Sequence, residues 1–482
     1  MKSPKLAMLL AAAIALTAAG CGNDDSGSPA ADSTPGAAGA EAPVTISVGC
    51  QPPKSNPLER TAWDEDVAAF KKLHPNITIE SKDAFPCINP DTFQAKLAGG
   101  SMEDVFYVYY TDVKKIISAG QAADITPYAG GVAKLNDLRP DVLGIFKEGE
   151  KLYGLPRNNY SMGLVYNRKL FTQAGLDPDA PPKTWAEVRD AAKKISDLGP
   201  GYVGFGEYSA GNTGGWHFAA SLYGRGGEMV TPDGRAAAFN SPEGKAVLEN
   251  LKTMRWTDNS MGAKQLLQWE DLMRMMGGGK LGMMIGAPDV VQAVNNDFKG
   301  KFEDYGVTAL PEAKASLNGG DGYMIHPKAT PEKIKAALLW LEFHELTPGQ
   351  GQFDYARSKQ QGRPVGLPIP DLYGDTAPGK EITELRKANA TVPVENFTPF
   401  VDGSAAIQNK LEPPKSQELY AILDVPMSAV LTRQDADIDK LLADAEAKAN
   451  KVLAKSRGVV DDLVHHSDRG VQYTSIRYAE RL

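Results

Sequence analysis

Residues 44–79 have the sequence VTISVGCQPPKSNPLERTAWDEDVAAFKKLHPNITI, and they indicate the fold because they contain the periods of a strand, a helix and a second strand. Apolar and polar residues alternate from Val44 to Val48, as they do in a half-buried strand. Apolar residues then recur at helical spacing from Trp63 to Leu73, and His74-Pro75 ends that helix before a second alternating strand at 77–79. This order predicts a β-α-β unit of a parallel sheet flanked by helices.

The rest of the chain continues the same α/β pattern. The run from Val105 to Tyr110 is almost wholly apolar and aromatic, as expected for a strand that is covered on both faces. The body that starts at Val44 is too long for a single core and favours two domains. Helix starts are indicated by Thr184 with Glu187, by Ser241-Pro242 and by Thr330-Pro331, and a last long helix is predicted over 438–452.

The N-terminus predicts export. Lys2 and Lys5 precede an uncharged run from Leu6 to Ala19 that is too short to span a bilayer comfortably, which is the pattern of a signal peptide over residues 1–20. The segment from Leu16 to Cys21 resembles the lipobox of bacterial lipoproteins, although Ala18 stands where that motif usually has Leu. The resemblance implies a lipidated Cys21; the alternative is an ordinary secreted protein in which Cys21 lies in the discarded leader or in a free tail.

Residues 21–43 predict a flexible tether, because after Cys21 they contain no large apolar residue that could offset the entropy of ordering. A formal net charge of -8 without a basic cluster argues against nucleic acid as a partner, and against recognition of anionic lipid by the body of the protein. Membrane contact is therefore expected only through the lipid anchor.

Two further cysteines, Cys50 and Cys87, follow the tether. Outside the cytoplasm two cysteines are more often paired than free, so a disulfide bond is expected. The alternative is a pair of reduced, buried thiols. Neither C-x-x-C spacing nor neighbouring histidines indicate redox or metal chemistry at these positions.

Seven short segments carry a family pattern, and in sequence order they are Phe93–Gly100, Tyr153–Pro156, Leu164–Phe171, Ala174–Leu176, Pro182–Trp185, Gly279–Met284 and Gly319–Tyr323. Together they resemble the signature of the extracellular solute-binding proteins of sugar ABC importers, and with the elements around them the resemblance covers the chain from Val44 to about Ala454.

That resemblance implies a two-lobed, periplasmic-binding-protein-like fold of type II, in which each lobe is a sheet flanked by helices and several chain crossings form a hinge. It places lobe 1 at 44–155 plus 305–348 and lobe 2 at 156–304 plus 349–455. Ligand is expected between the lobes, which close around it. Residues at the first crossing, Pro156 to Asn159, are expected both to bend and to touch ligand.

A sugar presents apolar ring faces and hydroxyl-rich edges, so its site needs aromatic rings and planar polar side chains. Carried over position by position, the family pattern gives these ligand-binding candidates: Gln51, Tyr109, Tyr110, Asp112, Asn158, Tyr160, Trp216, His217, Trp256, Trp269, Asp271, Asp321 and Tyr323.

Each candidate also has a purely structural interpretation. A tryptophan or tyrosine is more often part of a core than a ligand contact, and Trp63, Trp185 and Trp340 are assigned to the core by their helical spacing. Asp112 and Asp271 could equally cap helices. Many sugar-binding relatives have a tryptophan shortly after the Met283-Met284 strand, whereas this chain has Gly286-Ala287-Pro288-Asp289, so a smaller or differently placed ligand is possible.

The family implies the partners: a sugar or polyol ligand, and a two-subunit ABC permease with its ATPases, served by a monomer anchored to the outer face of the cytoplasmic membrane. The sequence indicates no cofactor and no metal site. A lipid-anchored carbohydrate-active enzyme, a glycosidase or lyase, is the alternative, because carboxylates are plentiful. An adhesin or structural lipoprotein is a third reading.

Enzyme motifs fit poorly. The G-x-G-x-x-G pattern at 199–204 follows a predicted helix instead of a strand, and Gly278-Gly279-Lys280 lacks the Ser or Thr of a phosphate loop. The segment from Gly206 to Gly211 around Ser209 is one residue too long for a nucleophile elbow.

The last residues, 458–482, resemble a fragment of the integrase-like core of insertion-element transposases, through the run from Leu463 to Ser475 and the segment from Tyr478 to Leu482. Asp468 matches one of three metal-binding carboxylates of those enzymes, and one carboxylate cannot assemble a two-metal site. The hypothesis is a foreign tail without chemistry; the alternative is a natural polar tail.

Overall fold

The computed structural model describes residues 42–455 except 84–86, 89, 212, 369–370 and 405–406. The predicted signal peptide, the lipidation site Cys21, the tether up to residue 41 and the transposase-like tail at 458–482 lie outside the described residues. Within the described part of the chain, no helix is long and apolar enough to cross a membrane.

The elements alternate between strands and helices, as the sequence predicts. The strands are β1 (Val44–Gln51), β2 (Ile77–Asp83), β3 (Val105–Tyr109), β4 (Lys147–Glu148), β5 (Lys151–Leu152), β6 (Gly154–Ser161), β7 (Gly163–Asn167), β8 (Val203–Phe205), β9 (Leu281–Gly286), β10 (Tyr305–Ala309), β11 (Ala315–Ile325) and β12 (Gln408–Leu411). The helices are α1 (Pro57–Leu73), α2 (Pro90–Gly99), α3 (Tyr110–Ser118), α4 (Pro140–Gly144), α5 (Arg168–Gln173), α6 (Trp185–Ser196), α7 (Thr213–Gly224), α8 (Pro242–Trp256), α9 (Trp269–Gly277), α10 (Asp289–Phe298), α11 (Pro331–Leu341), α12 (Tyr355–Gln360), α13 (Ala377–Ala388), α14 (Thr398–Ser404), α15 (Ser416–Thr432) and α16 (Ile438–Lys455).

The larger sheet has the strand order β12-β11-β3-β1-β2, and β6 also pairs with β11. Strand β1 is parallel to β2 and β3, whereas β11 is antiparallel to β3 and β6. A first core packs on this sheet, where the ring of Trp340 lies 5.5 Å from that of Trp63 and 5.3 Å from that of Phe70. The opening β-α-β unit and the core roles of Trp63 and Trp340 are therefore as predicted.

The smaller sheet has the order β10-β7-β9-β8, with β8 parallel to β9. Every residue of β7 and β9 is buried, because both faces of this sheet are covered. Leu164 and Tyr166 lie in a second core with α7, whereas Val165 between them lies in a third core with α9 and α10. Trp185, predicted to be core, is partly buried against the second core.

Two strands carry the chain from the first core to the second. Leu155 of β6 and Tyr323 of β11 belong to the first core, whereas Leu317 of β11 belongs to the second. The side-chain amide of Asn318 donates hydrogen bonds to Asn159 Oδ1 at 2.7 Å and to the carbonyl of Tyr160 at 2.6 Å. The two crossing strands are thus tied together by side chains as well as by their ladder.

The lobe boundaries stay a prediction, but two segments pack differently from the predicted division. Strand β10 pairs with β7 in the smaller sheet, although residue 305 was expected to begin a return to lobe 1. Phe353, Tyr373 and Ile382 pack in the first core, although residues from 349 onward were expected in lobe 2. Both segments pack against partners that are distant in sequence, and the order of elements along the chain does not identify those partners.

Local signals in the sequence determine several helix starts. Thr184 Oγ1 accepts from the backbone N–H of Glu187 at 3.2 Å, and the Glu187 carboxylate accepts from the N–H of Thr184 at 3.0 Å, so the predicted capping box is present. Ser241 and Thr330 cap α8 and α11 through their side chains alone, which accept from the backbone N–H groups of Gly244 and Lys333, and each is followed by proline. Cys50 and Cys87 are joined in a disulfide bond.

Candidate functional site

The carboxyl ends of β1 and β3 meet the crossing strands, and four predicted ligand residues come together there. Gln51 ends β1 and is 7% exposed, and Tyr109 ends the neighbouring strand β3. Asp321 of β11 lies opposite Tyr109 on one side and opposite Asn158 of β6 on the other. The carboxyl ends of parallel strands are the usual place for a ligand in an open α/β sheet.

Arg157 is placed at this edge by a break in the β6–β11 ladder. Asp321 pairs with Asn158 and the next residue pairs with Pro156, so Arg157 has no partner on β11 and forms a bulge. A bulge redirects a side chain, and here the guanidinium donates to Asp321 Oδ1 at 3.1 Å. Protein surrounds Arg157 on most sides, yet 35% of its side chain is exposed, as expected for a residue that lines a concave surface.

Arg157 is one end of a buried chain of charges. Its Nε lies 3.7 Å from Glu345 Oε2, and Glu345 Oε1 lies 2.6 Å from His344 Nδ1. His344 Nε2 lies 3.5 Å from Asp66, which accepts two hydrogen bonds from Arg357. Glu345 occupies a wide, π-type turn after α11, an arrangement that is frequent at functional sites. This series of charged contacts holds the guanidinium of Arg157 in position.

Tyr160 lies on β6, the strand that runs from the first core at Leu155 to the second core, and it packs against the second core. Its ring lies over Gly319 on the neighbouring strand, where a Cβ would come within 2.1 Å of the tyrosine hydroxyl. Burial raises the pKa of Tyr160, and the charges of Glu412, Asp289, Asp321 and Tyr109 raise it further. We call Tyr109, Tyr160, Asp289, Asp321 and Glu412 the Tyr160 cluster.

Asp289 and Glu412 were not predicted. Asp289 follows β9 and begins α10, and its Oδ1 is buried without a hydrogen-bond partner in the described residues. Burial raises the pKa of Asp289 to about 6, against two backbone N–H groups that lower it. Burial likewise raises the pKa of Glu412 to about 7, although Tyr420 donates a hydrogen bond to it at 3.2 Å. Both residues are half-buried, and the protein packed around their carboxyl groups disfavours the charged form.

Burial also governs the electrostatics of the first-sheet edge. It raises the pKa of Asp321, and the neighbouring Arg157 guanidinium only partly offsets that effect. The Tyr107 hydroxyl donates a further hydrogen bond to the Asp321 carboxylate. Asp112, in the first turn of α3, is half-buried, and burial raises its pKa as well.

Trp216 and His217 lie near the start of α7 and differ in exposure. Trp216 is partly buried against the second and third cores, with its ring 4.9 Å from that of His217. His217 is fully buried, and its Nδ1 is hydrogen-bonded to Glu207 Oε1 at 2.5 Å. Of these two predicted residues, only Trp216 has an exposed part.

Two further predicted residues lie among aromatic rings of the first core. Tyr110 and Tyr323 are buried, and their rings pack edge-on against Phe146 and Tyr107. Tyr323 lies in the first core, where its ring is 5.8 Å from that of Tyr107.

The second-lobe candidates are likewise engaged elsewhere. Trp256 donates from Nε1 to the Val430 carbonyl at 2.8 Å and packs on α15, and Trp269 packs edge-on against Phe298. The Asp271 carboxylate accepts a hydrogen bond from the backbone N–H of Gln268 at 3.1 Å, as a residue that caps a helix start does, and it pairs with Lys264 at 2.6 Å. None of these three contacts joins the Tyr160 cluster.

The individual roles of Arg157, Asp289, Glu412 and Glu207 were not predicted from the sequence, for different reasons. Arg157 lies inside the crossing segment that was expected to touch ligand, but a bulge cannot be read from sequence. Asp289 is the last residue of the segment Gly286 to Asp289, which lacks the tryptophan of the family pattern. That departure was the signal in the sequence that pointed to this position. Nothing near Glu412 or Glu207 in the sequence distinguishes them from surface carboxylates. Within the described residues, no group of three or more His, Cys, Asp or Glu side chains is arranged to hold a metal ion.

Comparison with known proteins gives the class to which this fold and site belong. The family model of bacterial extracellular solute-binding proteins matches residues 54–350, more than half of the chain, and the chain belongs to that family. The family is extracellular, which implies an exported protein. Its relatives are binding proteins rather than enzymes.

Among individual relatives, a putative binding protein of Brucella abortus is 25% identical over 407 residues, which cover 82% of this chain and 90% of that protein. A periplasmic sn-glycerol-3-phosphate-binding protein of Agrobacterium fabrum is 34% identical over 124 residues, 24% of this chain and 28% of that protein. The crystal structure of a cyclic alpha-maltosyl-1,6-maltose binding protein from Arthrobacter globiformis superposes with a TM-score of 0.67 at 24% identity, covering 86% of this chain and all of that one. The predicted periplasmic-binding-protein-like α/β fold is therefore confirmed.

Proposed function

We propose that this protein is the solute-binding component of an ABC importer and that it holds a sugar or other polyhydroxyl solute at the Tyr160 cluster, between two lobes that close around it. Family membership supports the class. The maltose-type solute of the Arthrobacter globiformis structure and the glycerol phosphate of the Agrobacterium fabrum relative are both polyhydroxyl compounds.

One observation carries the assignment of the site. Tyr160 packs against the second core on strand β6, whose Leu155 belongs to the first core, and Asp321 on the neighbouring strand β11 lies opposite Tyr109 of the larger sheet. A solute lying at Tyr160 would therefore touch both halves at once, and closure requires a ligand with that property. The aromatic surfaces would come from Tyr109 and the exposed part of Trp216. The polar side chains that bind the solute's hydroxyl groups would be Gln51, Asn158 and Asp321.

A thermal-shift screen of monosaccharides, disaccharides and polyols tests the proposal, since a ligand that binds only the folded protein raises its melting temperature. We expect at least one neutral or charged polyol to raise it in a dose-dependent manner, and Tyr160→Phe to reduce that shift. Lys245→Met, which removes a surface pair with Asp439, is the control and should keep the wild-type response.

An enzyme is the rival to be tested, because carboxyl groups with raised pKa values, such as those of Asp289 and Glu412, also serve as acids in glycosidases. The binding proposal requires that a bound sugar be recovered unchanged after prolonged incubation. Cleavage that is lost in Glu412→Gln would contradict it.

We further propose that the protein is a monomer that delivers its solute to a permease with ATPases. A lipidated Cys21 would anchor it on the outer face of the cytoplasmic membrane. Two acyl chains suffice for stable anchoring, at about 0.8 kcal/mol per buried methylene. Cys21→Ser should release the protein from the membrane fraction into the medium, and retention of the variant in that fraction would count against lipidation.

The transposase-like segment 458–482 is proposed to be a passenger. Deleting it should leave ligand affinity and the midpoint of thermal unfolding unchanged. A substantial loss of either after the deletion would show that the segment belongs to the functional body.

A further inference from the structure

Four predicted ligand residues share one face of the larger sheet, and Arg157 lies beside them. Tyr109 of β3 pairs with Asp321 of β11, and Asp321 pairs on its other side with Asn158 of β6. Tyr160 lies two residues further along β6. Paired residues, and residues two apart on one strand, point to the same face of a sheet, so these four side chains do so as well. The guanidinium of Arg157, which contacts Asp321, belongs to the same group.

The guanidinium of Arg157 is held at two of its three nitrogen atoms. Nη1 donates to Asp321 Oδ1 at 3.1 Å, and Nε lies 3.7 Å from Glu345 Oε2. Nη2 has no hydrogen-bond partner among the residues that the structure describes, and 35% of the side chain is exposed. Because an arginine carries five N–H donors in a planar fork, the two on Nη2 are available to a ligand.

The backbone around Arg157 is held as firmly as its charged end. The side-chain amide of Gln352 donates to the carbonyl of Arg157 at 2.9 Å and to the carbonyl of Glu345 at 2.8 Å. Glu345 is 1% exposed, and its Oε1 lies 2.6 Å from His344 Nδ1. Since these contacts already fix the arginine, little conformational entropy is lost when its free N–H groups meet a ligand.

The positive charge of Arg157 is balanced within the protein. Two carboxylates contact this one guanidinium, and among the described residues Asp321 has no other cationic partner. A phosphate group at Arg157 would be attracted by the guanidinium and repelled by both carboxylates, whereas a neutral hydroxyl group meets no such repulsion.

The helix that begins at this edge gives an anion little support. Phosphate groups bind at helix N-termini that offer free N–H groups. Helix α3 follows β3 directly, and it has Asp112 in its first turn. A carboxylate at that position competes with an anion for the N–H groups and for the favourable end of the helix dipole.

We propose that Arg157 determines the specificity of the solute site: its Nη2 N–H groups donate to neighbouring hydroxyl groups of an uncharged sugar or polyol, and the site rejects phosphorylated solutes. This inference rests on the proposed function, and it names the ligand class and a further ligand contact for the same site. Asp321 and Asn158 offer oxygen acceptors beside these donors, so one hydroxyl group can donate and accept at once.

Matched pairs of a neutral solute and its phosphate ester test the proposal by isothermal titration calorimetry. The pairs are glucose and glucose 6-phosphate, maltose and maltose 1-phosphate, sorbitol and sorbitol 6-phosphate, and glycerol and sn-glycerol 3-phosphate, the solute of the Agrobacterium fabrum relative. The tightest-binding solute of the thermal-shift screen is titrated with them, beside its own phosphate ester. In every pair that binds, we expect the neutral member to bind tenfold or more tightly than its ester.

The variant Arg157→Lys assigns the contact. Lysine keeps a positive charge beside Asp321 and Glu345 but lacks Nη2 and the planar fork. We expect the neutral solute to bind this variant at least tenfold more weakly than the wild type. Arg235→Lys is the matched control, since Arg235 is 70% exposed, and it should bind the solute as the wild type does.

The variant Glu345→Gln separates specificity from packing. Glu345 is 1% exposed and contacts Arg157, so it would affect the solute through that arginine. Removing its charge leaves Arg157 with one carboxylate partner, and the ratio of the two affinities should shift about fivefold toward the phosphate ester. A merely structural role would weaken the binding of both members alike and leave the ratio unchanged.

The outcomes separate this inference from the proposed function. If a phosphate ester binds the wild type as tightly as its neutral partner, the inference is wrong while solute binding stands. If Arg157→Lys keeps the wild-type affinity, or if the ratio stays the same in Glu345→Gln, the assignment to Arg157 is wrong. If no member of the pairs and no solute of the thermal-shift screen binds, the proposed function fails, and this inference fails with it.

Discussion

The guanidinium of Arg157 donates to the carboxylate of Asp321 at 3.1 Å, across a bulge in the ladder between the two strands that cross from core to core. Asp321 is 5% exposed, so its charge depends on this partner. Because Asp321 belongs to the Tyr160 cluster, the pair connects that cluster to the buried charges of Glu345 and His344. It therefore links the candidate ligand site to the packing of the first core.

Removing Arg157 should destabilise the protein, because a buried carboxylate would lose its counter-charge. For Arg157→Met we expect the free energy of unfolding in urea to fall by about 3 kcal/mol. Arg235→Met is the control, since Arg235 is 70% exposed and lies 3.9 Å from Asp233. The control should change stability by no more than about 0.5 kcal/mol.

Equal stability of the two arginine variants would contradict this account of Arg157. The double variant Arg157→Met, Asp321→Asn sharpens the test, because it removes both charges and should recover part of the lost stability.

Gly319 is predicted to be essential for ligand affinity through the position of Tyr160. In Gly319→Ala the new Cβ would lie 2.1 Å from the Tyr160 hydroxyl, so the ring must move away from the strand. We expect the affinity for the bound polyol, measured by calorimetry, to fall at least tenfold. Gly130→Ala, where a Cβ meets nothing within 4 Å, should leave it unchanged, and parity of the two variants would argue against a role for Tyr160.

The buried histidine should make stability depend on pH. Burial lowers the pKa of His344, but Glu345 and Asp66 raise it more, so the pKa is above its ordinary value despite an opposing effect of Arg157. A raised histidine pKa adds stability that is fully present below about pH 6.5 and is lost as pH rises through the folded-state pKa.

His344→Gln should therefore cost more stability at about pH 5 than at about pH 9, as measured by urea unfolding at both values. Other groups titrate in both proteins and largely cancel in the difference. A cost that is the same at the two pH values, or larger at the higher one, would show that His344 gains nothing from its carboxylate neighbours.

The disulfide bond should contribute to stability by restricting the unfolded chain. Cys50 and Cys87 are 37 residues apart, for which loop-closure entropy predicts about 4 kcal/mol, with measured values commonly between about 2 and 4 kcal/mol. Cys50→Ser with Cys87→Ser should lose stability in that range, and reductant should lower the stability of the wild type but not of the double variant. No response of the wild type to reductant would contradict the pairing.

Much of the fold is predictable from sequence because local rules and apolar periods act over short distances. The β1-α1-β2 unit follows from alternation and helical spacing, and the start of α6 follows from the capping pair Thr184 and Glu187. The packing of β10 in the smaller sheet does not follow, because strand partners far apart in sequence are chosen by the shape of the assembled core.

The family pattern predicted part of the candidate site, and the ligand-binding roles of those residues stay predictions. Tyr109, Asn158, Tyr160 and Asp321 were placed by family pattern and do lie together at the crossing strands. Trp256 was not distinguishable from a ligand contact in sequence, and the carbonyl of Val430 that satisfies its indole N–H is 174 residues away. Asp289 and Glu412 acquire their character from burial, which only the tertiary structure supplies.

The central claim is the reversible capture of an intact solute. Its most direct test is calorimetric titration of the best polyol from the thermal-shift screen into wild type and Tyr160→Phe. Chromatography of the recovered solute completes the test. The account predicts one solute bound per chain, at least tenfold weaker binding by Tyr160→Phe at unchanged melting temperature, and complete recovery of unmodified solute. Equal affinity of the two proteins, or recovery of the solute as cleavage products, would contradict it.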